Sequence, residues 1–562
     1  MRKLTFTFLF LLISVTSTAI FAQHNYRSPL EIPLLLSANF GELRVNHFHT
    51  GLDLKTQGVI NKNVYSIEDG YVSRIGINAG GYGLVLYVDH PNGQTSVYAH
   101  LNGFAPSIAR FVKSEQYKQE RYTIDIANID PRALPVRKGD LIARSGNSGS
   151  SGGPHVHFEI RDTKSELTLD PLPYYKGEIE DKLAPEIRGI AVYPMEGKGI
   201  VNGSASPYRR ATQSQKFFDG TIEAWGQIGV GICAVDRMSG VNNVFGVAKV
   251  RLFCDGEKIF SSEISSVDFG TTRMINSLTD FDYWKKDKKV YMKSFIEPGN
   301  NLHIYDKTKN GCIDIDEERT YNLRYELEDL YGNQTDIRFA IQGKKGDIPQ
   351  SKSCSLVMQW DTHNRYIGNH FSLTIPPGYL YKDINFLLSS REDSRYYSQV
   401  YKVHSCYEPL NDYVEMSFRI LGDTALFTPD KYGVVSIDQK GKESWVGGVY
   451  KDGYITTKIR ELGNSYAASI DTIAPAITPV NSENWLRSKR VTIRLTDNMS
   501  GIKNFRGTIN DKYVLFKHDI KSSNYTYDFD DERLEKGQMQ HLRFTATDSA
   551  GNSAEYEYTF DY

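Results

Sequence analysis

The sequence predicts a mainly β protein made of several domains. Short runs of β-branched and aromatic residues alternate with Gly, Asn, Asp and Pro turns along most of the chain. The 36 tyrosines and the 12% aromatic content suit pleated surfaces. A chain of 562 residues is too long for one core. At about 150 residues per domain, it predicts roughly three to four domains.

The first predicted domain, residues 23–178, is an antiparallel β-sheet. Short β-type runs at 71–77, 84–90 and 95–100 are separated by turn residues. An Asn-Gly pair between the last two runs predicts a hairpin. A charged stretch at about 104–135 interrupts this rhythm. We interpret it as an insertion that forms a loop or a short helix.

An internal repeat organises the rest of the chain. The three pairs of markers, in the same order in both copies, are 181–187 and 471–477, 236–241 and 497–502, and 329–333 and 548–552. Each marker joins a strand pattern to an Asp/Gly turn, which is typical of β-sandwiches. We therefore predict immunoglobulin-like β-sandwich domains at 179–346 and 471–562. Another β-rich domain, 347–470, lies between them.

Four aspartates lie in the turns of the repeat: Asp236, Asp329, Asp497 and Asp548. Their carboxylates have two candidate roles, which are calcium binding and capping of the turn backbone. Aspartate side chains commonly accept hydrogen bonds from backbone groups two residues further on. This habit favours capping, and calcium binding stays open as the alternative.

The N-terminus predicts a secretory signal peptide, residues 1–22. Arg2 and Lys3 precede a mostly apolar run at 4–13, and small residues lead to a cleavage site after Ala22. The alternative is an N-terminal membrane anchor, but the run is short for a span. We therefore expect the mature chain to be secreted, to the periplasm or cell envelope, without a transmembrane span.

Charge and cysteine content exclude several classes of function. A formal net charge of −2 and a pI near 6.7 do not indicate nucleic acid or an anionic membrane surface as partners. All five cysteines lie beyond residue 230 without a CxxC spacing. A zinc site built from cysteines is therefore not expected, and the odd count leaves at least one cysteine unpaired within the chain.

Histidines concentrate in the first domain and suggest a metal site. On a strand, His155 and His157 project from the same face. Their ring nitrogens need a polar partner if they are buried, and a metal ion or water could satisfy them. His49 and Asp53 flank a glycine that allows a tight turn. Two histidines and a carboxylate fit a catalytic zinc ion, which keeps a fourth position for water.

Residues 47–171 resemble the catalytic domain of the lysostaphin/LytM-type zinc endopeptidases, which cleave peptide stems or cross-bridges of bacterial peptidoglycan. The motifs that carry the resemblance are His-x-x-x-Asp at 49–53, Tyr-x-His-Leu at 98–101, Lys-Gly-Asp at 138–140, Ser-Gly-Asn-Ser-Gly at 145–149, His-x-His-Phe-Glu at 155–159 and Asp-Pro at 170–171. They occur in the order of the family, although each motif alone is weak.

The resemblance implies a role for five residues. His49, Asp53 and His157 match the zinc ligands of the family, which implies one Zn²⁺ per chain. His100 and His155 match its catalytic histidines. Sequence alone does not divide their work between proton transfer and stabilisation of the developing charge.

Taken with the compartment, the resemblance implies a secreted zinc metalloendopeptidase that hydrolyses peptide bonds in peptidoglycan stems or cross-links. The alternative is a non-catalytic LytM-type regulator that binds or activates a partner cell-wall hydrolase. Retention of all five residues favours the enzyme. The expected substrate is peptidoglycan peptide, and the β-domains are candidates for contact with the envelope or with a wall hydrolase.

Overall fold

The computed structural model describes residues 26–212, 216–218, 220–306, 308–349, 356–368, 370–421 and 428–562. The predicted signal peptide lies outside these ranges. The helices are α1 (Pro106–Gln119), α2 (Ile275–Leu278), α3 (Phe281–Asp287) and α4 (Trp485–Ser488). The rest of the regular structure is strands and short 3₁₀ turns, so the predicted mainly β fold is confirmed. Among the described residues, no helix is long and apolar enough to cross a membrane.

The N-terminal region, residues 26–178, is built around an antiparallel sheet. Its strands are β1 (Leu36–Ala38), β2 (Leu43–Arg44), β3 (His47–Phe48), β4 (Leu52–Lys55), β5 (Asn63–Tyr65), β6 (Gly70–Ile77), β7 (Leu84–Asp89), β8 (Gln94–Leu101), β9 (Gly103–Phe104), β10 (Ile124–Ile126), β11 (Pro135–Val136), β12 (Leu141–Arg144), β13 (His155–Asp162) and β14 (Thr168–Leu169). The central order is β1-β4-β13-β8-β7-β6-β10, and a smaller sheet has the order β5-β12-β9. Strand β13 therefore lies between β4 and β8.

The charged stretch after β9 forms a helix and an edge strand. Helix α1 begins at Pro106, where the missing N–H is not needed, and ends at Glu120 in the left-handed conformation, with φ 49°. Its apolar face buries Ile108 and Val112. Strand β10 then pairs with β6, so the insertion extends the main sheet.

The first β region, residues 179–349, shares its core with the N-terminal region. Its strands are β15 (Glu186–Val201), β16 (Tyr208–Ala211), β17 (Ile222–Val235), β18 (Lys249–Cys254), β19 (Glu257–Glu263), β20 (Ser266–Val267), β21 (Met292–Lys293), β22 (Ile313–Ile315), β23 (Thr320–Glu328) and β24 (Gln334–Gly343). One continuous apolar cluster runs through both regions. In addition, β20 pairs with β14, so the first β region adds a strand to the N-terminal sheet.

The middle region, residues 356–470, consists mainly of two five-stranded sheets on one apolar core. Its strands are β25 (Leu356–Met358), β26 (Asn364–Ile367), β27 (Phe371–Ile375), β28 (Ile384–Phe386), β29 (Leu388–Arg391), β30 (Val400–Val403), β31 (Glu408–Arg419), β32 (Tyr432–Ile437), β33 (Glu443–Gly447), β34 (Val449–Lys451), β35 (Tyr454–Leu462) and β36 (Ser465–Ile470). Strands β31 and β35 are neighbours in one of these sheets, and their alternating buried and exposed positions turn one of its faces toward the core.

The C-terminal region, residues 471–562, places a three-stranded and a four-stranded sheet on a common core. Its strands are β37 (Ala476–Pro479), β38 (Arg490–Thr496), β39 (Ile502–Ile509), β40 (Lys512–Val514), β41 (Asn524–Asp528), β42 (Met539–Asp548) and β43 (Ser553–Asp561). The structure thus has several β-rich regions after the first, as predicted. The immunoglobulin-like topology and the predicted domain boundaries stay predictions.

The four cysteines among the described residues, Cys233, Cys254, Cys312 and Cys406, are free thiols, and Cys354 lies outside the described ranges.

Candidate metal centre

Strand pairing brings the three predicted ligands together. His157 on β13 lies directly opposite Asp53 on β4, and His49 lies in the turn that leads into β4. All three are buried, with exposed fractions of 2% for His49, 7% for Asp53 and 3% for His157. Gly51 is needed between them, because a Cβ there would come within 2.3 Å of the Phe158 carbonyl oxygen.

One atom from each of these side chains forms a nearly equilateral triangle. His49 Nε2 lies 3.0 Å from Asp53 Oδ1 and 2.9 Å from His157 Nδ1. The distance from His157 Nδ1 to Asp53 Oδ1 is also 2.9 Å. Ligands at a tetrahedral zinc ion are about 3.3 Å apart, as follows from metal–ligand bonds of about 2.0–2.1 Å. The triangle is therefore close to the size that a small metal ion requires.

The outer hydrogen bonds of both histidines direct a lone pair at the triangle. His49 Nδ1 lies 2.6 Å from the Asn39 carbonyl oxygen, which can only accept, so Nδ1 carries the proton. His157 Nε2 lies 2.8 Å from Glu159 Oε1 and donates to it in the same way. In the neutral rings, His49 Nε2 and His157 Nδ1 are then acceptors, as is Asp53. Three acceptors at this separation need a cation between them, which is how metal-binding histidines are usually oriented.

The pKa shifts of the buried cluster also indicate a site for a cation. Burial opposes ionisation of Asp53, but the adjacent histidines hold the pKa of this carboxyl well below its usual range. Burial disfavours a charge on His157, yet hydrogen bonds to Asp53 and Glu159 raise its pKa to about 9. The cluster therefore attracts positive charge, and a metal ion would displace the proton that His157 otherwise takes up.

Two further predicted residues, His155 and His100, flank the cluster. His155 Nδ1 lies 2.8 Å from the Gly153 carbonyl oxygen, and His100 Nδ1 lies 2.8 Å from that of Ser148. Both Nδ1 atoms therefore donate to the backbone of the serine-glycine loop, and both Nε2 atoms are acceptors. Their ring centroids are 4.8 Å apart.

The Nε2 atom of His155 is set beside the triangle. It is buried, has no hydrogen-bond partner among the described residues, and lies 3.4 Å from Asp53 Oδ1. His100 has a positive φ of 58°, a conformation that few non-glycine residues adopt. Burial and the adjacent His157 and His155 lower the pKa of His100 to about 3, so it is neutral at pH 7. The His100 ring is therefore a neutral imidazole at the edge of the cluster.

A buried carboxylate supports the cluster from behind. Glu159 is fully buried, and its Oε1 accepts from Thr50, Tyr82 and His157 at 2.6, 2.6 and 2.8 Å. Its other oxygen accepts from Arg161 Nε at 2.7 Å. This network fixes the ring of His157 and compensates the charge of Glu159, as a buried ion requires.

Several of these supporting residues were not found from the sequence. The alternation of side chains along β13 that aligns His155, His157 and Glu159 continues to Arg161. The sequence therefore contains a signal that Arg161 lies on the same face of the strand. Tyr82 and Asn39 carry no comparable signal, because they lie on other segments. Arg44, which donates to Asp53 Oδ2 at 3.2 Å, also lies outside the motifs.

Asn39 of the N-terminal region links the cluster to the first β region. The Asn39 side chain exchanges two hydrogen bonds with the backbone of Gly246, at 2.9 and 3.0 Å. The Asn39 carbonyl oxygen is the acceptor of His49 Nδ1. The orientation of His49 is therefore tied to the packing of the following region.

The C-terminal region reaches two loops beside the cluster. Ile520 N–H donates to the Ala79 carbonyl oxygen at 2.9 Å, and Gly149 N–H donates to Asp519 Oδ2 at 3.0 Å. Lys521 Nζ donates to the carbonyl oxygens of Asn147 and Gly149. Because the same serine-glycine loop orients His100 and His155, the C-terminal region braces the segment that holds both rings.

Helix α1 also contacts the C-terminal region. Tyr117 OH donates to Asp530 Oδ2 at 2.8 Å, and Lys113 forms an ion pair with the same carboxylate at 2.8 Å. Arg533 lies over the Tyr117 ring, 4.1 Å from its centroid. Helix α1 therefore provides a docking surface for the last region of the chain.

The cluster of His49, Asp53 and His157, with two further histidines beside it, is the grouping that the resemblance to LytM-type endopeptidases led us to expect. Residues 47–117 match the model of peptidase family M23, so the predicted resemblance is confirmed for this part of the chain. Residues 355–471 match the model of a Zu5-like domain.

Curated relatives match about a fifth of the chain. DD-carboxypeptidase/endopeptidase Mpg of Neisseria meningitidis serogroup B is 31% identical over 114 residues, which cover 20% of each chain. An uncharacterized metalloprotease of Haemophilus influenzae is 32% identical over 113 residues, which cover 20% of this chain and 18% of the relative. The match thus spans about a fifth of the length of these relatives.

Among solved structures, the catalytic domain of the antimicrobial peptidase lysostaphin from Staphylococcus simulans is 21% identical. The alignment covers 25% of this chain and 92% of that chain, with a TM-score of 0.19.

Proposed function

We propose that the protein is a secreted zinc metalloendopeptidase that hydrolyses peptide bonds in the stems or cross-links of bacterial peptidoglycan. The observation that carries the proposal is the triangle of His49, Asp53 and His157 with the unpartnered Nε2 of His155 beside it. Relatives named DD-carboxypeptidase/endopeptidase support the substrate class.

In this proposal, His49, Asp53 and His157 hold one zinc ion. Two nitrogens and one oxygen are the donor set of a catalytic site with a position left for water. When bound, zinc would supply Lewis-acid activation, lowering the pKa of a coordinated water toward about 7 and polarising the scissile carbonyl.

The proton transfers fall to His155 and His100. His155 Nε2, 3.4 Å from Asp53 Oδ1, is positioned to accept a proton from a water molecule at the cluster. His100 Nε2 is a second acceptor, since its Nδ1 proton is committed to the Ser148 carbonyl oxygen. Once protonated, either imidazolium can donate to the leaving amine nitrogen or stabilise negative charge on the carbonyl oxygen.

The serine-glycine loop and the C-terminal region keep these rings in place. Both Nδ1–H groups donate to carbonyl oxygens of the loop, and the loop is bonded in turn to Asp519 and Lys521. Such positioning is worth much of the rate acceleration in hydrolytic enzymes. We propose that the β-rich regions also set the enzyme against the wall or envelope.

Digestion of isolated peptidoglycan tests the proposed function. We expect the mature protein to release muropeptides with new amino termini, which mass spectrometry assigns to stem or cross-link cleavage. A chelator should stop the release, and added zinc should restore it. A non-catalytic regulator would leave the peptidoglycan intact under all three conditions, and that outcome would refute the enzyme.

Replacement Glu159→Gln is expected to weaken zinc binding by about 10- to 100-fold, because the carboxylate that orients His157 loses its charge. A competition titration with a zinc chelator of known affinity measures the change. Activity at saturating zinc should largely survive, since Glu159 contacts neither of the flanking histidines in the network described above. Glu166→Gln is the matched control, because Glu166 is exposed and lies 3.9 Å from the same arginine, Arg161. Equal zinc affinity in both variants would contradict a positioning role.

A further inference from the structure

The internal repeat builds a second kind of site. In the first β region, one carboxylate oxygen from each of Asp181, Asp236 and Asp329 lies within 4.8 Å of the other two. In the C-terminal region, Asp471, Asp497 and Asp548 converge in the same way. We propose that each of these two triads, called here the first and second aspartate triads, binds one calcium ion.

The first aspartate triad is buried and incompletely partnered. Asp181 is 7% exposed, and Asp236 and Asp329 are each 3% exposed. The Oδ2 atom of Asp181 and the Oδ1 atom of Asp236 are buried without any hydrogen-bond partner among the described residues. Buried carboxylate oxygens are ordinarily hydrogen-bonded, paired with a cation or bound to a metal. These two oxygens therefore lack the partner that their burial requires.

The second aspartate triad has one unpartnered oxygen, on Asp497, which is half-buried as a residue. Asp471 is 1% exposed and Asp548 is fully buried. The Oδ1 atom of Asp497 is likewise buried without a hydrogen-bond partner among the described residues. The repeat-equivalent residues Asp236 and Asp497 thus each leave one carboxylate oxygen unsatisfied, whereas Asp471 Oδ2, unlike Asp181 Oδ2, accepts from Ser500 N–H at 3.0 Å.

Backbone capping accounts for only part of each triad. Asp329 Oδ1 accepts from the backbone of Tyr331 and Asn333, both at 2.8 Å, and Asp548 Oδ1 accepts from that of Ala550 and Asn552 at 2.9 and 2.8 Å. This is the turn capping that the sequence favoured. Capping satisfies the Oδ1 atoms of Asp329 and Asp548 and orients their carboxylates. It does not account for the unpartnered oxygens of Asp236 and Asp497.

Each triad has an asparagine beside it, and the two asparagines make equivalent hydrogen bonds. Asn333 donates to Asp329 Oδ2 at 2.7 Å and to the Asp181 carbonyl oxygen at 3.4 Å. Its counterpart Asn552 donates to Asp548 Oδ2 at 2.8 Å and to the Asp471 carbonyl oxygen at 3.1 Å. The two triads are therefore one device built twice, and not two chance groups of acids.

The charge of the triads is not compensated by the protein. Among the described residues, none of the six aspartates forms a salt bridge with a lysine, arginine or histidine. Burial, together with Asp329 and Asp181, raises the pKa of Asp236 to about 8. Three carboxylates without a counter-charge repel one another, and a divalent cation removes this repulsion.

The donor set selects a hard cation. All the converging atoms are carboxylate oxygens, with no imidazole or thiol among them, which suits Ca²⁺ or Mg²⁺ better than zinc. Calcium accepts six to eight oxygens in flexible geometry, whereas magnesium requires a near-ideal octahedron. Aspartates held by three different turns fit the less demanding ion.

Both triads lie where the chain enters a new region. Asp181 precedes β15, and Tyr331, beside Asp329, donates through its hydroxyl to the Ile179 carbonyl oxygen at 2.6 Å. Asp471 follows β36, and Lys431 of the middle region donates to the Ala550 carbonyl oxygen at 3.0 Å. Calcium at these points would fix the linkers, and hence the orientation of successive regions.

Calcium binding to the full-length, zinc-loaded protein tests the inference. Equilibrium dialysis against CaCl₂ with elemental analysis should find two calcium ions per chain. Asp236→Asn and Asp497→Asn should each bind one, and the double variant none. Calcium should raise the unfolding midpoint of the wild type by roughly 5 °C or more, because it binds only the folded state. The double variant should show no calcium-dependent shift, and magnesium should act more weakly.

Asp438→Asn is the matched control. Asp438 caps the same kind of turn, through the backbone of Lys440 and Lys442 at 2.8 and 2.9 Å, but belongs to neither triad. It should bind two calcium ions like the wild type. Circular dichroism identifies any variant that fails to fold, and asparagine keeps the size of the side chain. Absence of saturable calcium binding by the wild type, or unchanged binding by the double variant, would overturn the proposal.

Discussion

Replacement of His157 by alanine is expected to abolish stoichiometric zinc binding and to lower the rate of peptidoglycan hydrolysis by about 10³-fold or more. The imidazole supplies one corner of the triangle, and its loss leaves only His49 and Asp53, 3.0 Å apart. Two ligands do not hold a catalytic zinc ion against buffer and chelator. The activation that zinc supplies is worth several kcal/mol, which corresponds to at least this loss of rate.

Elemental analysis of the dialysed protein and muropeptide release measure the two effects together. His47→Ala is the matched control, because His47 lies two residues before His49, is exposed, and has its ring Nδ1 3.1 Å from the Val45 carbonyl oxygen. It should keep one zinc ion and full activity. Thermal unfolding must show that the His157 variant is folded. A folded, active His157→Ala protein with one zinc ion would exclude the proposed ligand set.

The convergence of His49, Asp53 and His157 was implied by the resemblance to the family. The side chains of a strand alternate between its faces, and the motif spacings place each ligand near a strand that pairs with the next. The register of β13 against β4 then sets His157 opposite Asp53. Their role as ligands stays a prediction, and their proximity was expected from the resemblance, because spacing alone does not report which strands pair.

Features that depend on distant contacts could not be predicted in this way. The acceptor of His49 is the carbonyl oxygen of Asn39, and no side-chain pattern reports the direction of a backbone carbonyl. The charged segment after β9 gave no clear periodicity, and its helix is used to dock a region about 400 residues away. Contacts of this separation are set by tertiary packing, which overrides local propensity.

The aspartate triads could be predicted from the sequence only in part. The repeat itself predicted that equivalent turns occur in both copies, since the markers recur in order. It also predicted capping, which the bonds of Asp329 and Asp548 show. Convergence of three separate turns on one point required the fold, because each turn lies at the end of a different strand.

Replacement of His155 by alanine is expected to lower the hydrolysis rate by about 10²- to 10⁴-fold while zinc binding stays at one ion per chain. His155 Nε2 has no hydrogen-bond partner among the described residues, and it lies 3.4 Å from Asp53 Oδ1, beyond the triangle of 2.9–3.0 Å. It is thus placed to receive a proton at the cluster without being one of the three converging ligands. The rate loss should appear in kcat more than in KM, since proton transfer belongs to the transition state.

Zinc content separates this role from ligation. His90→Gln is the matched control, because His90 is also buried in the N-terminal sheet but is bonded to Ser96 and to the Asp69 carbonyl oxygen, away from the cluster. It should keep zinc and activity. Loss of zinc from His155→Ala would make His155 a fourth ligand, and unchanged kcat would transfer the proton-accepting role to His100. With zinc retained and kcat lost, the chemistry requires both a cation site and a separate base, and His49, Asp53 and His157 provide the first while His155 provides the second.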